Sequence, residues 1–344
     1  MSPVPAAFCP DDPQPIRLGS SCGLAARHKH PIGRKPEGPG MKRTSWTRGA
    51  VCLLLPLVGA ASAPVAEAQN GPYLGLELGI GNGASMTLDG TDNDVATTCD
   101  AWIVPIDGTN AGCDPPPSAW SSDMGGGSGI MGSLAVGYRF GNIRAELEYT
   151  HSALSYDAVA DLAATDEVTV DKAQQELELA ETRIETVQYE SFFANAYWDF
   201  TPDARVSPYL GLGVGTADAS IDYFNRWKRN LDPAAITTFA GHPDEESLRR
   251  IVAGTTTIAN TKLKDNVSAY QLLAGVDFSV SDSVTLGIKA RLVEYGDFET
   301  GRLLWDQLRS HHSSRGPGGT EVAYVMSSGD LSMWGLSFGM RYSF

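Results

Sequence analysis

The chain has 344 residues, with 26 Lys+Arg against 41 Asp+Glu for a net charge of -15, 37 Gly, five Cys and 42% hydrophobic residues. A deficit of basic residues argues against a nucleic-acid binder, because phosphates call for a Lys/Arg surplus. No run of 18 apolar residues occurs, which excludes a helical membrane span. The charge is uneven: the first 68 residues carry eight Lys/Arg and four Asp/Glu, and the remainder carries 18 and 37.

Residues 1-40 hold Pro, Gly, His, Arg, Cys9 and Cys22 without periodicity, as expected of a disordered or over-called extension with Met41 as the true initiator. From Met41, Lys42, Arg43 and Arg48 precede an apolar stretch, Ala50 to Ala60, and then small residues. That order predicts a secretory signal peptide over 41-68. Ala66-Glu67-Ala68 is the expected cleavage site; Ala61-Ser62-Ala63 is a poorer one, since Pro64 follows it. Cys52 lacks the small residue before it that a lipoprotein site requires. Cys99 and Cys113 remain in the mature chain, and two cysteines in an exported protein predict one disulfide closing a local loop.

From Gln69 onward the signal is period-two alternation, which sends successive side chains to opposite faces of a strand. The first segment, Gly71 to Asn82, sets Leu74, Leu76, Leu78 and Ile80 against Gly75, Glu77 and Gly79. The second sets Leu134, Val136, Tyr138 and Phe140 against Ser133, Gly137 and Arg139; a Gly141-Asn142 hairpin turn leads to Ala145, Leu147 and Tyr149 against Arg144, Glu146 and Glu148. The fourth sets Phe192, Ala194, Ala196 and Trp198 against Asn195, Tyr197 and Asp199. After a turn at Thr201-Arg205 come Leu210, Leu212 and Val214 against Gly211, Gly213 and Gly215. The sixth sets Tyr270, Leu272, Ala274 and Phe278 against Gln271, Gly275 and Asp277; a turn at Ser281-Ser283 leads to Leu286, Ile288 and Leu292 against Lys289 and Arg291. The last sets Trp334, Leu336, Phe338, Met340, Tyr342 and Phe344 against Gly335, Ser337 and Arg341.

Eight such segments of about ten residues each can cross a bilayer obliquely. Three connections are short and four, 83-128, 153-183, 222-265 and 299-328, are long. One face is almost wholly apolar and the other carries Gly, Ser and charge, the reverse of a soluble ligand-binding barrel. The expected fold is therefore all-β: an eight-stranded, up-and-down antiparallel transmembrane β-barrel over 69-344, with long extracellular loops carrying short helices and both mature termini periplasmic. Helices are predicted at Asp171-Thr182, from a capping-box spacing of Asp171 and Gln174, at Asp232-Pro233, and at His242-Ala253 before Gly254.

Gly71-Pro72-Tyr73-Leu74-Gly75-Leu76, Ser207-Pro208-Tyr209-Leu210-Gly211-Leu212 and the closing Gly335-Leu336-Ser337-Phe338-Gly339-Met340-Arg341-Tyr342-Ser343-Phe344 resemble the bacterial outer-membrane β-barrel superfamily of OmpA-like transmembrane domains, especially its surface-antigen branch. The resemblance implies an outer-membrane location among lipids and lipopolysaccharide. It also implies that Phe338, Met340, Tyr342 and Phe344 form the signal by which the barrel-assembly machinery recognises its clients. No peptidoglycan-binding domain is expected after the last strand.

The predicted inward face carries Glu77, Glu146, Glu148, Asp199 and Asp277 against Arg139, Arg144, Lys289, Arg291 and Arg341. In a narrow barrel these five acids and five bases must pair, giving a salt-bridge plug. Gly211, Gly213 and Gly215 leave lumen space for water or for neighbouring long side chains, which keeps a small charged pore as the alternative. Asp89, Asp92, Asp94 and Asp100 lack the Gly and Glu of a calcium loop and read as a solvated acidic surface. The pair His311-His312 lacks a third metal ligand and reads as exposed. His151-Ser152 is the one adjacent nucleophile-base candidate, and strand neighbours point to opposite faces. The expected role is a non-enzymatic surface barrel without cofactor or metal, serving membrane integrity, adhesion or antigen display, with an extracellular ligand or host surface as its partner.

Overall fold

A computed structural model describes residues 70-94, 119-160, 163-164, 176-309, 311-315 and 320-344. The expected signal peptide, residues 1-40, Asp100 and the cysteines Cys99 and Cys113 lie outside the described residues. Among the described residues fourteen strands carry the fold: β1 Gly71-Gly83, β2 Met86-Asp92, β3 Ala119-Met124, β4 Gly127-Phe140, β5 Ile143-Ala160, β6 Ala163-Ala164, β7 Leu177-Asp199, β8 Val206-Arg229, β9 Thr256-Ser279, β10 Val284-Tyr295, β11 Phe298-Glu299, β12 Leu303-Leu304, β13 Ala323-Ser328 and β14 Ser332-Ser343. Eight of them close an antiparallel barrel in the order β1-β14-β10-β9-β8-β7-β5-β4. The closing seam is long: β1 pairs β14 from Tyr73↔Ser343 to Gly83↔Met333. Closure leaves no free strand edge within the ring.

At the short-turn end, Gly141 takes φ +59°, the left-handed conformation a two-residue hairpin needs. Along the walls the alternation has the expected sense. Leu210, Leu212 and Val214 point outward at 54%, 63% and 58% exposure, while Tyr209 beside them is buried. The closing residues Phe338, Met340, Tyr342 and Phe344 also face outward.

Half of the wall is much longer than ten residues. β7 has 23 residues, and β8 and β9 have 24 each. Beyond Val214 the polarity of β8 inverts: Asp218 and Ser220 now face out, and Ala217, Ala219, Ile221, Tyr223 and Trp227 are buried inside. An outward face against hydrocarbon must be apolar, and the same face against water must not be. The inversion therefore marks where the strand leaves the apolar band.

This corrects two expectations. The connections 153-183 and 222-265 begin and end in strand, because β5, β7, β8 and β9 continue into them. The predicted helix at Asp171-Thr182 is not one where it is described: Leu177-Thr182 belongs to β7, paired with β8 from Leu177↔Arg229 onward. The other two helices form. Pro233-Ala235 is a 3-10 turn capped by the Asp232 side chain, which accepts from the Ala234 amide. α1, Glu245-Val252, starts three residues later than expected and ends before Gly254, at φ +71°. Leu248 and Val252 on its buried face pack with Ile236 and Phe239 into a small separate core.

The other half of the wall, β1, β4, β10 and β14, has 12-14 residues per strand. Each strand breaks at one level, at Ala84-Ser85, Gly125-Gly126, Gly296-Asp297 and Gly329-Leu331. Beyond the break the chain pairs again in the same neighbour order, β11-β13-β2-β3, with β6 at the edge. One of the breaks needs glycine, since a Cβ at Gly126 would lie 2.7 Å from the Gly83 carbonyl oxygen.

Candidate functional site

The barrel interior is the site, and its chemistry is layered. Nearest the short turns, Asp199 and Asp277 hold three guanidinium groups. Arg139 reaches Asp199 at 2.5 Å, Arg144 reaches Asp199 at 2.9 Å and Asp277 at 3.4 Å, and Arg341 reaches Asp277 at 2.9 Å. The Arg144 guanidinium lies 4.6 Å from both the Tyr197 and Tyr209 ring centroids, a cation-π contact that offsets part of its desolvation.

The next layer joins Glu77, Glu146 and Glu148 to Lys289 and Arg291. Lys289 Nζ lies 2.5 Å from Glu77, and Arg291 lies 3.1 Å from Glu77 and 2.7 Å from Glu148. Glu146 accepts hydrogen bonds from the Tyr73 and Tyr197 hydroxyls at 2.9 and 2.8 Å. Glu148 accepts from the Asn195 and Gln271 amides at 2.8 and 3.2 Å. All ten charged residues read from the sequence thus meet in two adjoining layers. The tyrosines and amides that complete them were missed, although Tyr73, Asn195, Tyr197, Tyr209 and Gln271 sit on the same inward parity and were legible on that ground alone.

The lumen glycines make room for these side chains. A Cβ on Gly213 would fall 2.1 Å from Asn195 Oδ1 and one on Gly211 2.5 Å from the Tyr197 ring. The remaining space among the lower charges, bordered by Glu77, Arg144, Lys289 and Arg341, is about 30 Å³. That is enough to hold water among polar partners.

Above the charges the interior turns apolar. Met131 adjoins Arg291, since both border the Cβ position of Gly335. Leu154, Phe193, Ala217, Val267 and Met333 are buried in the same core, along with Tyr189 and Tyr295, whose rings stack at 4.1 Å. Near the long-connection end four rings cluster: Trp120 meets Trp227 edge-on at 5.1 Å, and Trp305 packs on Trp120 at 5.7 Å and on Tyr324 at 4.4 Å. Outside, an apolar groove of about 1000 Å³ follows the wall past Leu74, Leu134, Leu147, Phe192 and Val214. It suits hydrocarbon chains.

A third group of charges crowns the rings. Glu176, 1% exposed, accepts from the Thr237 amide at 2.9 Å and from the Thr238 amide and hydroxyl, and its other oxygen lies 3.4 Å from Arg229 Nε. Burial alone would raise this carboxyl, but the Thr238 hydrogen bonds and the Arg229 charge outweigh it and hold it below the usual range. Burial, with help from the neighbouring Arg309 charge, pulls Arg229 down to about 9.

Two surface assignments are corrected here. Asp92 is buried at 6% exposure instead of solvated, although Asp89 is exposed. The His311 side chain is 2% exposed, with Nε2 3.5 Å from Asp94, whereas His312 is exposed and bonds Ser314. Loop segments packed over an aromatic core bury what their local sequence would leave in water. His151 and Ser152 diverge: the His151 side chain is 47% exposed and beside Glu190, and Ser152 is 1% exposed inside the barrel.

Among solved structures the chain is similar to Neisserial surface protein A (14% identity, 80% of this chain and 97% of that one, TM-score 0.35). It is also similar to Ail, the attachment invasion locus protein of Yersinia pestis (11%, 78% and 99%, TM-score 0.25), and to the outer membrane protein AlkL (13%, 84% and 97%, TM-score 0.31). No curated protein matches it in sequence. The model of the outer membrane protein beta-barrel domain matches residues 50-314. With a closed eight-stranded barrel, an apolar outer belt and that match over most of its length, the chain belongs to the outer membrane β-barrel family.

Proposed function

We propose that this protein is a non-enzymatic, non-conducting surface barrel of the outer membrane, working in membrane integrity, adhesion or antigen display through its long-connection end. That end faces outward from the cell, and both mature termini face the periplasm. One observation carries the reading: the lumen is filled along its length, first by two layers of paired charge and then by packed rings and aliphatic side chains. Ions need a continuous polar path, and an apolar segment of this length presents none. The elaboration of β5, β7, β8 and β9 beyond the apolar band supplies a large, mostly polar surface for an extracellular ligand or host surface. Lipopolysaccharide and lipids contact the outer belt, and the barrel-assembly machinery reads Phe338, Met340, Tyr342 and Phe344. The opposed directions of His151 and Ser152 speak against a nucleophile-base pair.

Conductance of the refolded mature chain in a planar bilayer tests the reading. No current above the bare-bilayer background is expected. A steady conductance whose ion selectivity shifts on Arg139→Gln or Glu146→Gln would overturn it in favour of a small charged pore.

A further inference from the structure

The apolar groove on the outer wall meets a row of polar side chains at the top of the apolar band. Across β5, β7 and β8 the groove is a trough: in the register Ala194 lies directly between Leu147 and Val214, which stand out at 64% and 58% exposure. Tyr149, Phe192 and Thr216 close its upper end, with the Tyr149 and Phe192 rings 5.0 Å apart. Two residues further along the same strands, and so on the same face, stand His151, Glu190 and Asp218; Asn266 of β9 continues the row. All four are exposed.

The row opposes like charges. Glu190 pairs in register with Asp218, and two carboxylates directly opposite one another on a sheet repel. Glu190 Oε1 lies 3.9 Å from His151 Nδ1, and Asp218 accepts from the Asn266 side-chain amide at 2.7 Å. Among the described residues neither carboxylate forms an ion pair with a lysine or arginine. Lys264, exposed one row higher on the face of Asn266, stands opposite Ser220.

A hydrocarbon chain gains little by leaving the bilayer for this trough, because lipid tails are as apolar as the leucine and valine that border it. Selection therefore falls to the headgroup. Two opposed carboxylates at headgroup level disfavour a lone phosphate and favour an ammonium, which relieves their repulsion. We propose that the trough and the row above it hold one aminophospholipid, its chain lying past Ala194 and its ammonium between Glu190 and Asp218. Lys264, on a flexible four-carbon stem, supplies a counter-charge for the phosphate. The site lies on the outer wall and does not depend on the filled lumen, so a conducting lumen would leave it standing.

Native mass spectrometry of the refolded mature chain tests the site. The protein is taken from detergent micelles holding equal amounts of phosphatidylethanolamine and phosphatidylglycerol with matched chains, and the two one-lipid adducts are compared. The phosphatidylethanolamine adduct should dominate roughly fivefold, the upper end of what one exposed ion pair contributes. Glu190→Gln combined with Asp218→Asn should abolish the preference, and Ala194→Trp, which fills the trough, should abolish it too. Glu294→Gln, on β10 beyond the trough, should keep it. All four positions are exposed on the outer face, so the variants keep the fold. A parent without the preference, or a preference that survives the carboxylate pair or Ala194→Trp, overturns the proposal. A preference for phosphatidylglycerol that requires magnesium also overturns it, assigning the row to a divalent cation that bridges carboxylate to phosphate.

Discussion

The half of the barrel nearest the short turns and the half nearest the long connections share a neighbour order, yet opposite chemistry fills them. In the lower half the outer face meets hydrocarbon, so the apolar side chains go mostly outward and the interior is left chiefly to Tyr, Asn, Gln, Gly and ten charged residues, with Leu273 packed among the tyrosines. In the upper half the outer face meets water, and the same strands turn their apolar residues inward around Trp120, Trp227 and Trp305. The lesson is that the surrounding solvent, more than strand propensity, decides which parity becomes the core. Cohesion below is largely electrostatic; cohesion above is largely apolar and aromatic contact.

The largest test of this contrast falls in the lower half. Glu148→Leu removes the shorter ion pair of Arg291, at 2.7 Å, and leaves Glu77 to serve both Arg291 and Lys289 in a buried site, and a loss of about 3-5 kcal/mol is expected. Urea unfolding followed by heat-modifiable gel mobility measures it. Adding Arg291→Met should restore a large share, and no recovery in the double variant would mean that the layers are not a paired network. A smaller effect is expected above: Trp305→Ala opens a void in the ring cluster at a cost of about 3 kcal/mol. Salt should leave that cost unchanged, and a strong dependence on ionic strength would erase the distinction between the halves. The smallest effect concerns the crown. The Glu176 carboxyl is held below its ordinary value, so its contribution is full above about pH 4.3 and is lost as the pH falls through its lower folded value. Exchange protection of 236-252 should therefore drop in strong acid, and Glu176→Gln should flatten that response while weakening protection at neutral pH by about 1 kcal/mol.

The sequence was informative where one solvent acts on one parity. Leu74 to Ile80 and Leu210 to Val214 announced strands because hydrocarbon keeps an entire face apolar, and the complementary face named the ten lumen charges without any contact information. The outward-apolar sense of alternation ends at Val214 and resumes at Tyr270. In β8 the alternation persists through Trp227 with its sense reversed, so a strand of 24 residues looked like a strand followed by a loop. Asp171 and Gln174 suggested a helix start, yet the pairing of Leu177-Thr182 with β8 overrode that local preference, as cross-strand burial commonly does. His311 and Asp92 looked solvated because their immediate neighbours in sequence are polar; their burial comes from tertiary packing at the long-connection end.

By itself, then, the sequence determined the barrel, its strand count, its outward belt and the membership of its charged interior, because those follow from a period of two against a uniform solvent. Which acid meets which base, how far the strands rise, and which loop residues are withdrawn from water depended on register and closure. Those are set by contacts between residues more than a hundred positions apart, such as Glu77 with Arg291 and Glu148 with Gln271. Only the closed ring brings those residues together.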